Sequence, residues 1–264
     1  MDMIGKIALV TGAASGIGRA TAIRYAERGA AGVACLDIHD ESNQETARRV
    51  EAAGARSIAI HVDLGQVAQI GAAYAEALAG FGRIDAAAHI GGYSWRGETV
   101  DVTEDQWNTV INVNLRGTFF CCQEALKVMY AQGSGAIVNM SADAAFFPIY
   151  GFAVQAAGKG GIALMTQTLA HETARRGIRV NAVSPGITKV DPTGGTRPAS
   201  PNLKRDDLPK PPPAETMYEQ TSPGRWMKAE EVADSIVYLS SDAASGVNGV
   251  LMHVNGGGYF TLDY

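Results

Sequence analysis

Apolar runs of strand length punctuate this chain at residues 6–11, 32–37, 57–62, 85–90, 136–140, 179–183 and 250–254. Between them, residues 17–28, a more polar stretch through about 53, 67–81, 103–131, 151–175 and 230–239 carry the three-to-four spacing of helices. The apolar runs are continuous rather than alternating, so each strand is expected to be covered on both faces. Such strands alternating with amphipathic helices predict a single α/β domain over 1–264, a doubly wound parallel sheet of Rossmann type with helices on both faces. One segment breaks the rhythm. Residues 189–225 hold eight of the ten prolines, including Pro211-Pro212-Pro213, which neither continue a helix nor sit in a central strand. The segment reads either as a plain surface loop or as a lid over a substrate site at the strand ends; its length favours the lid.

Composition narrows the picture. With 46% hydrophobic and 19% charged residues, the chain can bury a large core, and wholesale disorder is excluded. The formal net charge is −5 and no basic stripe is present, which argues against nucleic acid as a partner. No apolar run reaches membrane-spanning length, and the start lacks the apolar stretch of a signal peptide. Cys35, Cys121 and Cys122 cannot all pair and have no metal-ligand spacing. They are expected to be reduced core residues of a cytoplasmic protein, and no metal site is expected.

The first candidate chemistry lies between the first strand and the first helix, in Thr11-Gly12-Ala13-Ala14-Ser15-Gly16-Ile17-Gly18. Glycines let the backbone turn sharply and approach a pyrophosphate, and the helix N-terminus adds free N–H groups and a positive dipole end. Asp37 ends the second strand, where a ribose with two free hydroxyls would sit. A carboxylate there accepts from both hydroxyls and repels a 2′-phosphate. Neither Ser15 nor Ile38 offers a positive charge to that phosphate. NAD is therefore the expected cofactor, rather than NADP.

The spacing T-G-x-x-x-G-x-G resembles the short-chain dehydrogenase/reductase (SDR) family, and the likeness extends over nearly the whole chain. Asp63 matches an adenine-contacting Asp, Asn114 the Asn of the catalytic tetrad, residues 177–186 the strand that leads to the nicotinamide pocket, and Asn255-Gly256-Gly257 the end of the last strand. The resemblance implies a cofactor surface made of Gly12, Ser15, Gly16, Ile17, Gly18, Asp37, Ile38, Asp63, Leu64, Gly91, Lys159, Pro185, Gly186, Ile187 and Thr188. It also implies a homotetramer, whose interfaces would use the Cys121-Cys122 helix and the tail Tyr259-Phe260-Thr261-Leu262.

At the reacting end the sequence departs from the family. The family pairs Tyr with Lys at i, i+4, the Tyr exchanging a proton with the substrate oxygen while the Lys holds the ribose and lowers the Tyr pKa. Lys159 matches the Lys, which puts Gln155 at the Tyr position. The family Ser, thirteen residues earlier, falls on Ala142, with Ser141 one residue away. Neither an amide nor a methyl replaces a phenol as acid or base. Two substitute acid/base groups are Tyr150, which otherwise packs or caps, and His89, which otherwise hydrogen-bonds backbone or ribose. Where the family has Asn-Asn-Ala-Gly this chain reads His89-Ile90-Gly91-Gly92; Val190 takes the place of a nicotinamide-contacting Thr, with Thr188 two residues before it. Ala142, Asp143, Phe147 and Tyr93 are candidate substrate contacts, although Asp143 also reads as a solvated or capping carboxylate. Phe146, Trp95, Met217, Tyr218 and Trp226 read either as cavity lining or as ordinary core.

Three activities fit this pattern. The first is an NAD(H)-dependent oxidoreductase acting on a small, apolar or aromatic/cyclic substrate, with Asn114, Gln155 and Lys159 around the reacting oxygen and a water in place of the phenol. The second is a redox-neutral lyase, isomerase or cyclase on the same fold. The third is a catalytically silent, NAD-binding partner subunit.

Overall fold

The computed structural model describes residues 2–190 and 225–257. Strands β1 (Ile7–Thr11), β2 (Gly32–Asp37), β3 (Arg56–His61), β4 (Ala86–His89), β5 (Gly135–Met140), β6 (Ile178–Pro185) and β9 (Leu251–Val254) form one parallel sheet. Their order is β3-β2-β1-β4-β5-β6-β9. Two-residue strands β7 (Thr188–Lys189) and β8 (Met227–Lys228) pair separately. Every residue of β1 and β2 is buried, as continuous apolar runs require, whereas the edge strand β3 is half-buried along its middle and exposed at its two ends.

Helices cover both faces. On one, α1 (Gly16–Glu27), α2 (Asp40–Ala52) and α7 (Ala229–Ser240) bury Tyr25, Val50, Val232 and Ile236 against Val10 and Val33. The Tyr25 hydroxyl, 2.7 Å from Ser240 Oγ, ties α1 to α7. On the other, α3 (Val67–Phe81), α5 (Gly117–Gln132) and α6 (Ala153–Thr173) pack Ile70, Tyr74, Met129 and Ala170 onto Leu9 and Ile137. The chain leaves β1 toward β2 on one side and resumes at β4 on the other. That reversal opens a crevice at the carboxyl ends of the strands.

The expected helix over 103–131 is present as a helical run over 104–132, with a widened turn inside it. It divides into α4 (Glu104–Ile111), a π turn at Asn112–Arg116, and α5. Thr103 starts α4 with a reciprocal cap: its hydroxyl accepts the Gln106 N–H, and the Gln106 carboxamide accepts the Thr103 N–H. The π turn inserts one extra residue into the helical ladder and presents Asn114 to the crevice. Most of the proposed lid, with Met217 and Tyr218, and the tail 259–262 lie outside the described residues.

Candidate active site

A cavity of about 470 Å³ occupies the crevice. Its floor is the loop after β1. Gly12 has φ +72°, and a Cβ there would lie 2.6 Å from Gly91 Cα; a Cβ on Gly18 would lie 1.9 Å from the Gly12 carbonyl oxygen. Only glycine lets the loop turn this tightly and the helix start this close to it. Thr11 Oγ1 accepts the Ile90 and Gly91 N–H groups at 3.0 and 3.1 Å, fixing the β4 loop against the end of β1. Gly12, Ser15, Gly16, Ile17 and Gly18 all line the cavity.

Asp37 is held by two backbone donors. Oδ2 accepts the Ala14 N–H and Oδ1 the His39 N–H, both at 3.0 Å, which aims the carboxylate across the loop into the cavity wall. Ile38, Asp63 and Leu64 complete this end, with Asp63 Oδ1 closing a short turn onto the Gly65 N–H at 2.9 Å. A cradle with no room for Cβ atoms, the open start of α1 and a fixed carboxylate one strand away fit the pyrophosphate and ribose of a dinucleotide.

At the opposite end, Gly91, Tyr93, Asn114, Gln155, Lys159 and Pro185 converge on the same cavity. The Asn114 side chain accepts the Tyr93 N–H and donates to the Tyr93 carbonyl, both at 2.8 Å. Backbone partners therefore fix which end of this amide is nitrogen. The same nitrogen donates to Gln155 Oε1 at 3.2 Å. Gln155 must then present its oxygen to Asn114, leaving its –NH₂ for the cavity. Lys159 is buried, and its Nζ donates to the Met140 carbonyl at 2.8 Å. Burial lowers its pKa to about 8.

Several residues singled out in the sequence lie elsewhere. His89 is buried beneath the sheet between Tyr74 and Asn139. Thr166 uses its hydroxyl hydrogen on the Ile162 carbonyl, so Asn139 donates to Thr166 and turns Oδ1 toward His89. His89 Nδ1 thus carries the hydrogen and Nε2 accepts from the Tyr74 hydroxyl. Burial pushes its pKa down to about 4, so it is a neutral brace that does not reach the cavity. Tyr150 is exposed and donates its hydroxyl to Glu98, also away from the cavity. Asp143 is neither solvated nor a wall residue. It is buried, accepting from Ser184 Oγ at 3.1 Å and Asn255 Nδ2 at 3.0 Å, with His253 Nδ1 at 3.4 Å. Phe146 and Phe147 pack on the His253 ring, and Trp95 is buried against Val110 and Val154. Ala142, Gly186, Ile187 and Thr188 do not form the wall; Thr188 turns its hydroxyl back to the Gly186 carbonyl at 3.0 Å. Ser141 does line the cavity, but its hydroxyl donates to the Lys159 carbonyl at 3.0 Å. The sequence reading missed His39 and Ser94 on the wall. His39 was signalled only by lying two residues past Asp37, and Ser94 by nothing in its neighbourhood. Among the described residues no group of three His, Cys, Asp or Glu gathers as metal ligands, and no helix is long and apolar enough to cross a membrane.

The family model described as enoyl-(acyl carrier protein) reductase matches residues 12–259. The 3-oxoacyl-(acyl-carrier-protein) reductase FabG of Thermotoga maritima is 35% identical over 257 residues, covering 97% of this chain and 99% of the relative. The crystal structure of levodione reductase superimposes with a TM-score of 0.86 at 31% identity, covering 97% of this chain and 98% of that one. A structure named ribose-5-phosphate isomerase, from Brucella melitensis, superimposes with a TM-score of 0.83 at 31% identity, covering 97% and 93%. Sheet order, glycine cradle and full-length similarity agree: the chain belongs to the short-chain dehydrogenase/reductase family of oxidoreductases.

Proposed function

We propose that the protein is an NAD(H)-dependent oxidoreductase that acts on a small, apolar or cyclic carbonyl compound through a site built around an amide instead of a phenol. The observation that carries this reading is that Gln155 lines the cavity with its oxygen engaged by Asn114, which leaves its –NH₂ as the end available to a substrate oxygen. A carboxamide cannot give up a proton at neutral pH, but it hydrogen-bonds the substrate oxygen and fixes the substrate's position. Tyr93, Met140 and Val190 on the wall supply apolar contact. Gly12, Gly16, Gly18, Asp37 and Lys159 would hold the dinucleotide, which would provide the hydride chemistry when bound. NAD is preferred because the Asp37 carboxylate, fixed by two backbone donors, would repel a 2′-phosphate, and the nearby Arg19 guanidinium is turned to the Ala14 carbonyl and the Thr46 hydroxyl. The protein is further proposed to act as a cytoplasmic homotetramer.

Calorimetric titration tests the cofactor assignment. NAD+ should bind at least tenfold more tightly than NADP+, and Asp37→Ala should narrow the gap; tighter binding of NADP+ overturns it. Loss of nicotinamide absorbance on mixing NADH, protein and a panel of cyclic ketones tests the reaction. A redox-neutral reaction is the second reading, favoured by the missing phenol and by the isomerase name of one similar structure. Turnover with no net change in nicotinamide absorbance would select it.

A further inference from the structure

With the phenol replaced, we propose that Lys159 itself is the proton-carrying catalytic residue, its ε-ammonium delivering the proton to the substrate oxygen in reduction and the neutral amine removing it in oxidation. The assignment rests on the oxidoreductase reading above. An ammonium has three N–H donors, and among the described residues Lys159 makes one hydrogen bond, to the Met140 carbonyl at 2.8 Å. The remaining donors belong to a group on the cavity wall, one helical turn from Gln155 and on the same face of α6. Gln155 and Lys159 thus divide between them what one phenol does elsewhere in the family: the amide holds the oxygen and the amine exchanges the proton.

Among the described residues no carboxylate pairs with this ammonium. On α6 its neighbour is the neutral Gln155; on β5 it meets Met140 and Ser141. From the β4 loop and the π turn come Tyr93, Asn114 and Arg116, the last reaching the Gly65 carbonyl. Asp143 is turned to Ser184 and Asn255. Asp37 and Asp63 lie at the far end of the cavity. Burial without a counter-charge weakens the ammonium's hold on its proton, bringing it into the range where transfer in either direction is useful. In reduction the carbonyl carbon gains the hydride and the C–O π electrons move onto oxygen. That oxygen takes one proton from Lys159, and water then recharges the amine.

Two measurements test this. Competitive acetylation of the NAD+-bound protein across about pH 6 to 10, read by mass spectrometry, should give Lys159 a midpoint near 8. Titration together with surface lysines, near 10.4, overturns the assignment. Single-turnover mixing of the NADH complex with levodione as the probe should show a reduction rate that falls tenfold per pH unit above about 8. Lys159→Arg keeps the charge but cannot release its proton; at saturating NADH it should lose about 10²-fold or more in single-turnover rate, and the pH limb with it. Added ethylamine should restore part of the rate to Lys159→Ala. An unchanged rate and limb in Lys159→Arg overturn the assignment and leave the oxidoreductase reading intact, and so does a limb abolished by Tyr93→Phe. Absence of hydride transfer to any ketone by the wild type overturns both.

Discussion

Gln155 and Lys159 share one helical turn and one cavity wall with Asn114, and their hydrogen bonds are mutually consistent. A phenol introduced at 155 would enter the space into which the amide now points. The double replacement Gln155→Tyr with Ala142→Ser is therefore expected not to exceed wild-type turnover on the natural substrate. The inserted ring should cost about 1–3 kcal/mol in ligand binding, as overpacking does. Turnover above wild type would point to an SDR that has simply lost its acid. The placement of the glycine loop and Asp37 on the cavity was legible in the sequence because backbone geometry imposes it at fixed spacing. His89 and Tyr150 were not. Position along a strand does not say which face a side chain takes, and His89 takes the face toward α3, where Tyr74 receives it.

Among the elements, most helices and strands could be read from periodicity, and residues 67–81 were bounded as they are found. The widened turn at Asn112–Arg116 could not be, because a π turn shifts the apolar stripe by one residue and holds no glycine or proline itself, while Gly117 just after it is explained by its close approach to the Leu64 carbonyl. That turn places Asn114, so its side chain is a joint between α4, the β4 loop and α6. Asn114→Ala should leave the Tyr93 N–H and carbonyl without their side-chain partner, costing about 1–3 kcal/mol in urea unfolding. It should also free the Gln155 amide to rotate, lowering kcat more than it raises KM. The chain Tyr74–His89–Asn139–Thr166 joins α3, β4, β5 and α6 in the same way. His89 is neutral when folded, with a pKa near 4, and takes a proton near pH 6.5 when unfolded. Its full contribution is present above pH 6.5 and is lost as pH falls toward 4, an acid destabilisation of about 3 kcal/mol. Thermal unfolding of wild type and His89→Gln across this interval should show the slope shrinking in the variant.

For the molecule as a whole, the proposed tetramer needs apolar surface that the folded chain leaves uncovered. Cys121 and Cys122 do not provide it, since both are buried in the core; Phe119 on α5 and Leu164 on α6 are exposed. Light scattering should give four times the mass of one chain, and Phe119→Glu with Leu164→Glu should lower it; a monomeric wild type at micromolar concentration would refute the assembly. The parallel sheet itself was evident from the continuous apolar runs, whereas the fastening of its far edge was not. Asp143 follows β5, yet one of the groups that satisfy it, Asn255, lies 112 residues later, just past β9. As the chain emerges from a ribosome, β1, β2 and β4 have their ladder partners long before synthesis ends, yet the core on one face of them is completed only when α7 appears at residue 229. The buried carboxylate waits longer still. Until the final strand arrives, Asp143 has, among the described residues, Ser184 alone to answer it, so both ends of the crevice are completed by the last fifth of the chain, α7 backing one and the β9 edge locking the other.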